Sequence, residues 1–131
     1  MKKIILFFFI FLFSLNCLAA EIKISKILNL EDPWGSTFIN DKELIVTEKF
    51  GKIILINIET GEISNIKHDI NFLVDGQGGL LDVIYKDQYL WISYSEDRGE
   101  GKSNTSIAKG KFNRKSINFK NIFQAIPDIN S

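Results

Sequence analysis

The chain repeats itself, and that repeat narrows the fold more than any other feature. Gly35-Ser36-Thr37-Phe38 has a counterpart in Gly79-Leu80-Leu81-Asp82, an offset of 44 residues, and Leu44-Ile45-Val46 has one in Leu90-Trp91-Ile92, an offset of 46. Ile53 corresponds to Ile107, where an insertion from Glu96 to Asn104 widens the offset. Each copy reads as four short strands: residues 36–39, 43–47, 52–58 and 63–67, then 80–85, 89–95, 105–112 and 117–124. Turn residues such as Asn40-Asp41, Phe50-Gly51 and Glu59-Thr60-Gly61-Glu62 separate them, and β-branched or aromatic residues fill them. Four-stranded units returning at this interval mark the blades of a β-propeller. The sequence therefore predicts an all-β chain with about two four-stranded blades, near 33–67 and 79–125. Residues 22–30 alternate loosely and read as a strand lent to a neighbouring blade.

Two blades do not close a ring, since propellers take about four to eight of them. Two sheets alone leave unpaired edges and an unburied flank. The expectation is thus an incomplete domain over 21–131, the N-terminal part of a longer ring, with a small protein that oligomerises to complete it as the alternative.

Residues 1–20 read as a secretory signal peptide. Met1-Lys2-Lys3 is a basic head, the following run to Leu15 is apolar apart from Ser14, and Cys17-Leu18-Ala19-Ala20 ends it with small residues suited to cleavage. The run is too short and wrongly flanked for a retained span. Cys17 is the single cysteine, and Ser14-Leu15-Asn16 before it fits a lipidation signal poorly. The remaining chain holds no cysteine, so disulfides contribute nothing in the oxidising compartment it would enter. Lys2 and Lys3 leave with the signal, so 16 basic residues become 14 against 16 acidic ones, a balance of −2. That balance argues against nucleic acid or anionic lipid as partner. The location expected is periplasmic or secreted.

The densest signal is Asp75-Gly76-Gln77-Gly78-Gly79-Leu80-Leu81-Asp82-Val83. Its three glycines let the backbone turn sharply and lie close against a neighbour. Gln77 stands alone at the apex, and a short apolar strand leads away. Such a turn is either a plain connector with Gln77 facing water or a device that presents one amide to a ligand. A dinucleotide fingerprint is excluded, because Leu81 stands where the third glycine belongs and a strand follows instead of a helix. Gly99-Glu100-Gly101-Lys102-Ser103 mimics the end of a P-loop, but Glu96 stands where its first glycine is required.

The whole nonapeptide resembles the Gly-Gln-Gly-Gly-Leu-Leu-Asp motif of the soluble PQQ-dependent aldose sugar dehydrogenases, the glucose/sorbosone dehydrogenase family. Further matches follow in order along the chain. Pro33-Trp34-Gly35 with Phe38 is similar to the family's opening strand, and Leu44-Ile45-Val46-Thr47-Glu48 with Gly51-Lys52-Ile53 to its next pair. Trp91-Ile92-Ser93-Tyr94-Ser95, Ile107-Ala108-Lys109-Gly110-Lys111 and Ile122-Phe123-Gln124 before Pro127 resemble later segments. The resemblance implies a six-bladed ring and a chain several times longer. It implies an exported quinoprotein oxidoreductase that oxidises an aldose sugar at C1, with PQQ as acceptor, calcium as a second cofactor and a histidine as base. Gln77 is the one position that carries over, as a cofactor- or substrate-binding residue. The catalytic histidine, the basic residues for the cofactor's carboxylates and the calcium ligands are all expected beyond Ser131. One departure is that Tyr85-Lys86-Asp87-Gln88-Tyr89 closes a hairpin where relatives carry a longer loop. The alternative is a non-catalytic propeller that binds a protein or glycan partner, since fold does not dictate function.

Other residues read structurally. His68, the only histidine, lies outside every matched motif and is expected to be exposed or to cap a loop. Asp82 is expected to support the glycine turn, and Glu48 to make a rim or inter-blade hydrogen bond. Trp34 and Trp91 are expected to pack between blades, and Asp97 to Lys102 to form a solvated hairpin tip. Asn104-Thr105-Ser106 matches a glycosylation sequon by pattern alone.

Overall fold

The computed structural model describes residues 22–130; the expected signal peptide with Cys17, and Ser131, lie outside the described residues. The described residues form strands β1 (Pro33–Asn40), β2 (Glu43–Glu48), β3 (Lys52–Asn57), β4 (Ile63–His68), β5 (Leu80–Lys86), β6 (Tyr89–Gly99), β7 (Lys102–Lys111), β8 (Ser116–Ile117), β9 (Lys120–Gln124) and β10 (Ile129–Asn130), with no helix among them. They make two sheets. One runs β1-β2-β3-β4-β8; the other runs β5-β6-β7, with β9 and β10 both pairing with β7. The two blades expected from the repeat are present at nearly the expected boundaries.

Local chemistry explains the turns. The Asn40 side-chain oxygen accepts the amides of Lys42 and Glu43 at 2.9 and 3.0 Å, an Asx turn that reverses the chain into β2. Gly51 turns β2 into β3 with φ of 97°, a conformation that favours glycine. Asn57 caps the next turn by accepting the amides of Glu59 and Thr60 at 3.0 and 3.1 Å. Between β5 and β6, Asp87 and Gln88 both have positive φ, 51° and 67°, the two-residue turn whose twist suits a tight hairpin. The short closure read in the sequence is therefore what forms.

The core lies between the sheets. Ile45, Ile53, Leu55 and Ile66 of the first sheet meet Leu80, Val83, Leu90, Ile92, Tyr94 and Ala108 of the second, with Ile117 inserted beside them. Alternation along β6 turns its even-numbered residues inward. On the outward face Lys109 stacks over the rings of Tyr89 and Trp91, 4.2 and 4.4 Å from their centroids. Trp91 thus sits on the side of the second sheet turned away from the first, not between these two blades. A smaller cluster, Val46, Ile54 and Ile56, covers the opposite face of the first sheet with Leu28 and Leu30.

Three expectations are corrected. Residues 22–30 pair with no strand among the described residues. Leu28 and Leu30 lie across the face of β2 and β3 instead, which turns the backbone away from the free edge of β1. The segment read as one strand over 117–124 is broken in two. Ile117 turns into the core at 1% exposure, β8 pairs parallel with β4 through Lys67↔Ser116 and His68↔Ile117, and β9 returns to β7. The hairpin of β6 and β7 runs on to Gly99 and Lys102, so only its extreme tip is solvated, while Arg98 is largely covered.

The first strands of the two sheets approach closely. A methyl group on Gly35 would stand 2.6 Å from the Asp82 Cα and 2.8 Å from the Leu81 carbonyl. The buried Thr47 hydroxyl donates to the Leu81 carbonyl at 2.5 Å and accepts the Gly35 amide at 3.1 Å. The Tyr85 amide donates to the Thr37 hydroxyl at 3.2 Å. At the opposite end, the Arg114 guanidinium forks onto the Glu43 carboxylate, with one bond at 2.7 Å.

Replacing Gly35 by alanine in the full-length protein should destabilise it by about 1–3 kcal/mol, the usual cost of overpacking, read as a lower urea midpoint. The Glu43 carboxyl, held down to about 2 chiefly by the Arg114 hydrogen bonds, should titrate there by NMR. Because its folded value is depressed, its contribution is complete above the ordinary glutamate range and disappears as pH falls through about 2. In Arg114→Gln the titration should return toward the ordinary range.

Candidate functional site

The connector 69–79 carries Gln77 across one end of both sheets, and a series of bonds fixes it there. His68 opens it. Its Nε2–H donates to the Gly51 carbonyl at 2.7 Å, and Nδ1 accepts the Ile70 amide at 3.3 Å, so the Nε2–H tautomer satisfies both. The loop-capping role expected for His68 is what it performs. The Leu73 amide donates to the Ser95 carbonyl at 2.9 Å, and the Ser95 amide to the Gly79 carbonyl at 2.9 Å. The Lys49 ammonium reaches the Gly76 carbonyl at 2.5 Å, and the Lys49 carbonyl takes the Leu80 amide at 3.1 Å.

The glycines have distinct duties. Gly76 and Gly79 adopt φ of 48° and 144°, and any side chain on Gly79 would collide with the Lys49 backbone. A methyl on Gly78 would press on the Asp75 carbonyl at 2.9 Å and the Ser95 hydroxyl at 3.1 Å. Asp82 is exposed; its carboxylate accepts the Val83 amide at 2.8 Å, and its amide donates to the Ser93 hydroxyl at 3.1 Å. It props the irregularity between Leu80 and Val83, as expected of a supporting residue.

Gln77 is exposed and lines a pocket of about 460 Å³ together with Trp34, Leu81, Ser95, Thr105 and Asn130. Trp34, read from the sequence as packing between blades, is instead 45% exposed and forms part of this lining. Trp34 falls at the register shift between Pro33 and Gly35 in β1, and it lines the pocket with Leu81 and Ser95 of the second sheet, outside the core. The pocket joins an indole and a leucine to an amide, hydroxyls and the Asp75 carboxylate.

Glu48 is 2% exposed and serves the opposite face. It accepts the Glu31 amide at 2.8 Å and pairs with Lys52 at 3.3 Å, fixing the approach to β1.

Sequence reading missed Glu96. Its Oε2 accepts the Ser106 hydroxyl at 2.6 Å, the Gln124 amide at 2.9 Å and Arg98 at 3.1 Å. Its Oε1 accepts the Asn121 amide at 2.8 Å. Burial alone would raise its pKa, but the bonds from Ser106 and Gln124, the Arg98 charge and the Asn121 bond together hold it below the ordinary range. A usable signal was present, because Glu96 shares the inward parity of Ile92 and Tyr94. The sequon residue Asn104 is also engaged: its side chain donates to the Pro127 carbonyl and accepts the Thr105 amide at 2.8 Å.

Among the described residues no three His, Cys, Asp or Glu side chains cluster to hold a metal ion, and no helix is long and apolar enough to cross a membrane. A model of the glucose/sorbosone dehydrogenase family matches residues 30–131. The chain belongs to that family. The aldose sugar dehydrogenase YliI of Escherichia coli (strain K12) is 26% identical over 111 residues, which cover 78% of this chain and 30% of the relative. The soluble aldose sugar dehydrogenase of Escherichia coli in its apo form superposes with a TM-score of 0.68 at 27% identity, over 75% of this chain and 31% of that one. The PQQ-bound aldose sugar dehydrogenase of Streptomyces coelicolor gives a TM-score of 0.66 at 18% identity, over 76% and 32% of the two chains, and shows the common fold. The two sheets are therefore blades of a β-propeller that cover part of its ring. The chain spans about three-tenths of the length of the curated relative.

Proposed function

We propose that this chain is the N-terminal part of an exported quinoprotein that oxidises an aldose sugar at C1 with PQQ as acceptor, and that Gln77 contacts the reacting ligands. The observation that carries the reading is the placement of the Gln77 amide beside the Trp34 indole in one polar-walled pocket. An amide both donates and accepts, which suits a sugar hydroxyl or a quinone oxygen. A half-exposed indole offers a flat apolar wall for the ring carbons of a sugar.

The residues present fit a neutral, hydroxyl-rich ligand better than the cofactor's charged end. PQQ carries three carboxylates, and the described lining has no cationic side chain to meet them, while Asp75 opposes them. The groups that hold those carboxylates, and the calcium ligands, are assigned to other parts of the ring. When bound, PQQ supplies the two-electron sink for the hydride leaving C1. In this chain Gln77 orients the sugar hydroxyl, Trp34 restricts the tilt of the ring, and the bonds from Lys49, Leu73 and Ser95 hold the turn still. The base is assigned to a histidine beyond Ser131, because both ring nitrogens of His68 are already engaged.

Full-length protein reconstituted with PQQ and calcium should reduce an artificial dye in the presence of an aldose. No reduction across an aldose panel, together with no PQQ binding, would overturn the reading in favour of a non-catalytic propeller. In the active protein Gln77→Ala should lower kcat/KM about tenfold, the equivalent of one hydrogen bond at ~1.4 kcal/mol. Its unfolding midpoint should not move, because the Gln77 side chain is exposed.

A further inference from the structure

The far wall of the Gln77 pocket is built by the segment that follows β9, and the Glu96 carboxylate holds β9, from which that segment runs. Ile129 and Asn130 line the pocket and pair with Ser103 and Lys102 of β7. Between them and β9 the chain is tied to the same hairpin at several points. The Ala125 amide donates to the Thr105 carbonyl at 2.9 Å, the Asn104 side chain donates to the Pro127 carbonyl, and Asp128 lies 3.8 Å from Arg98 Nε. At the root of these ties stands Glu96, with its side chain 16% exposed.

Every group that faces the Glu96 oxygens is a donor: the Ser106 hydroxyl, the Asn121 and Gln124 amides, and the Arg98 guanidinium. Turning the Asn121 amide would forfeit the bond its oxygen now accepts from the Tyr94 hydroxyl. A carboxylate, with acceptor capacity on both oxygens, satisfies this set as it stands. An amide in its place would point an –NH₂ at other donors and leave a covered polar group unpaired.

We infer that Glu96 is a positioning residue, which locks β9 to the hairpin and so sets where Ile129 and Asn130 stand opposite Gln77. It does not line the pocket itself. The inference rests on the pocket's reading as the sugar site only for its effect on turnover, because the locking itself is a property of the fold.

The test compares wild type, Glu96→Gln and Glu96→Ala in the full-length protein by hydrogen–deuterium exchange and by steady-state kinetics. Amides of residues 121–130 should exchange about tenfold faster in both variants, while those of β2 and β3 keep their wild-type protection. KM for the aldose should rise about fivefold with kcat within about twofold, the pattern of a displaced binding wall. Unchanged exchange over 121–130 would overturn the inference, as would faster exchange in every strand, which marks general destabilisation. Faster local exchange with an unaltered KM would overturn the link to the pocket. If the wild type oxidises no aldose, the functional reading fails, and the exchange measurement still decides whether Glu96 is the lock.

Discussion

The site depends on how closely β1 approaches β5. Gly35 leaves the space that Asp82 and the Leu81 carbonyl occupy, and the buried Thr47 hydroxyl bridges the two strands. This contact fixes where β5 begins relative to the β2–β3 turn, and Lys49 in that turn receives both ends of the glycine run, at Gly76 and at Leu80. Gln77 is carried on a turn anchored before and after it, so its position follows from backbone packing several residues away. With side chains on Gly35 and Gly79 the strands would stand apart, and the amide would no longer share a pocket with Trp34.

Much of this architecture was legible in the sequence because turns and alternation are local. Asn40 and Gly51 announce their turns by residue type, and the structure bears this out in an Asx turn and a positive φ; the cap that Asn57 places on the next turn was not read. The Asp87-Gln88 closure follows from the two residues available to make it. The failures share a cause, which is that a period of two says which residues share a face but not what covers it. Residue type alone suggests that Trp34 and Trp91 pack between blades, yet strand parity turns Trp91 away from the core shared by these sheets, and Trp34 falls at an irregularity of β1. Residues 22–30 carry an alternation that a strand would use, but their leucines are taken up in covering Val46, Ile54 and Ile56. The glycine motif was conspicuous because it is contiguous. Glu96 was not, since the two amides that define it arrive from Asn121 and Gln124, far along the chain.

Two acids, the buried Glu48 and the largely covered Glu96, each hold one segment in place. Glu48 secures the approach to β1, and Glu96 secures β9. Hydrophobic contact alone would hold the sheets face to face but leave their connecting segments free to slide, because apolar packing is non-directional. A carboxylate with several donors specifies one arrangement, at the cost of strong dependence on each partner.

The parallel pairing of β8 with β4 also makes the closure of the first sheet a long-range event. The outer edge of the first sheet is closed by residues some fifty positions further on, so the sheet that begins the chain stays incomplete until a long loop has been brought back on itself. Until Ser116 and Ile117 arrive, β4 presents an open edge to any passing strand. Ser116 and Ile117 therefore shield that edge only once the intervening sheet has folded and brought them back to it.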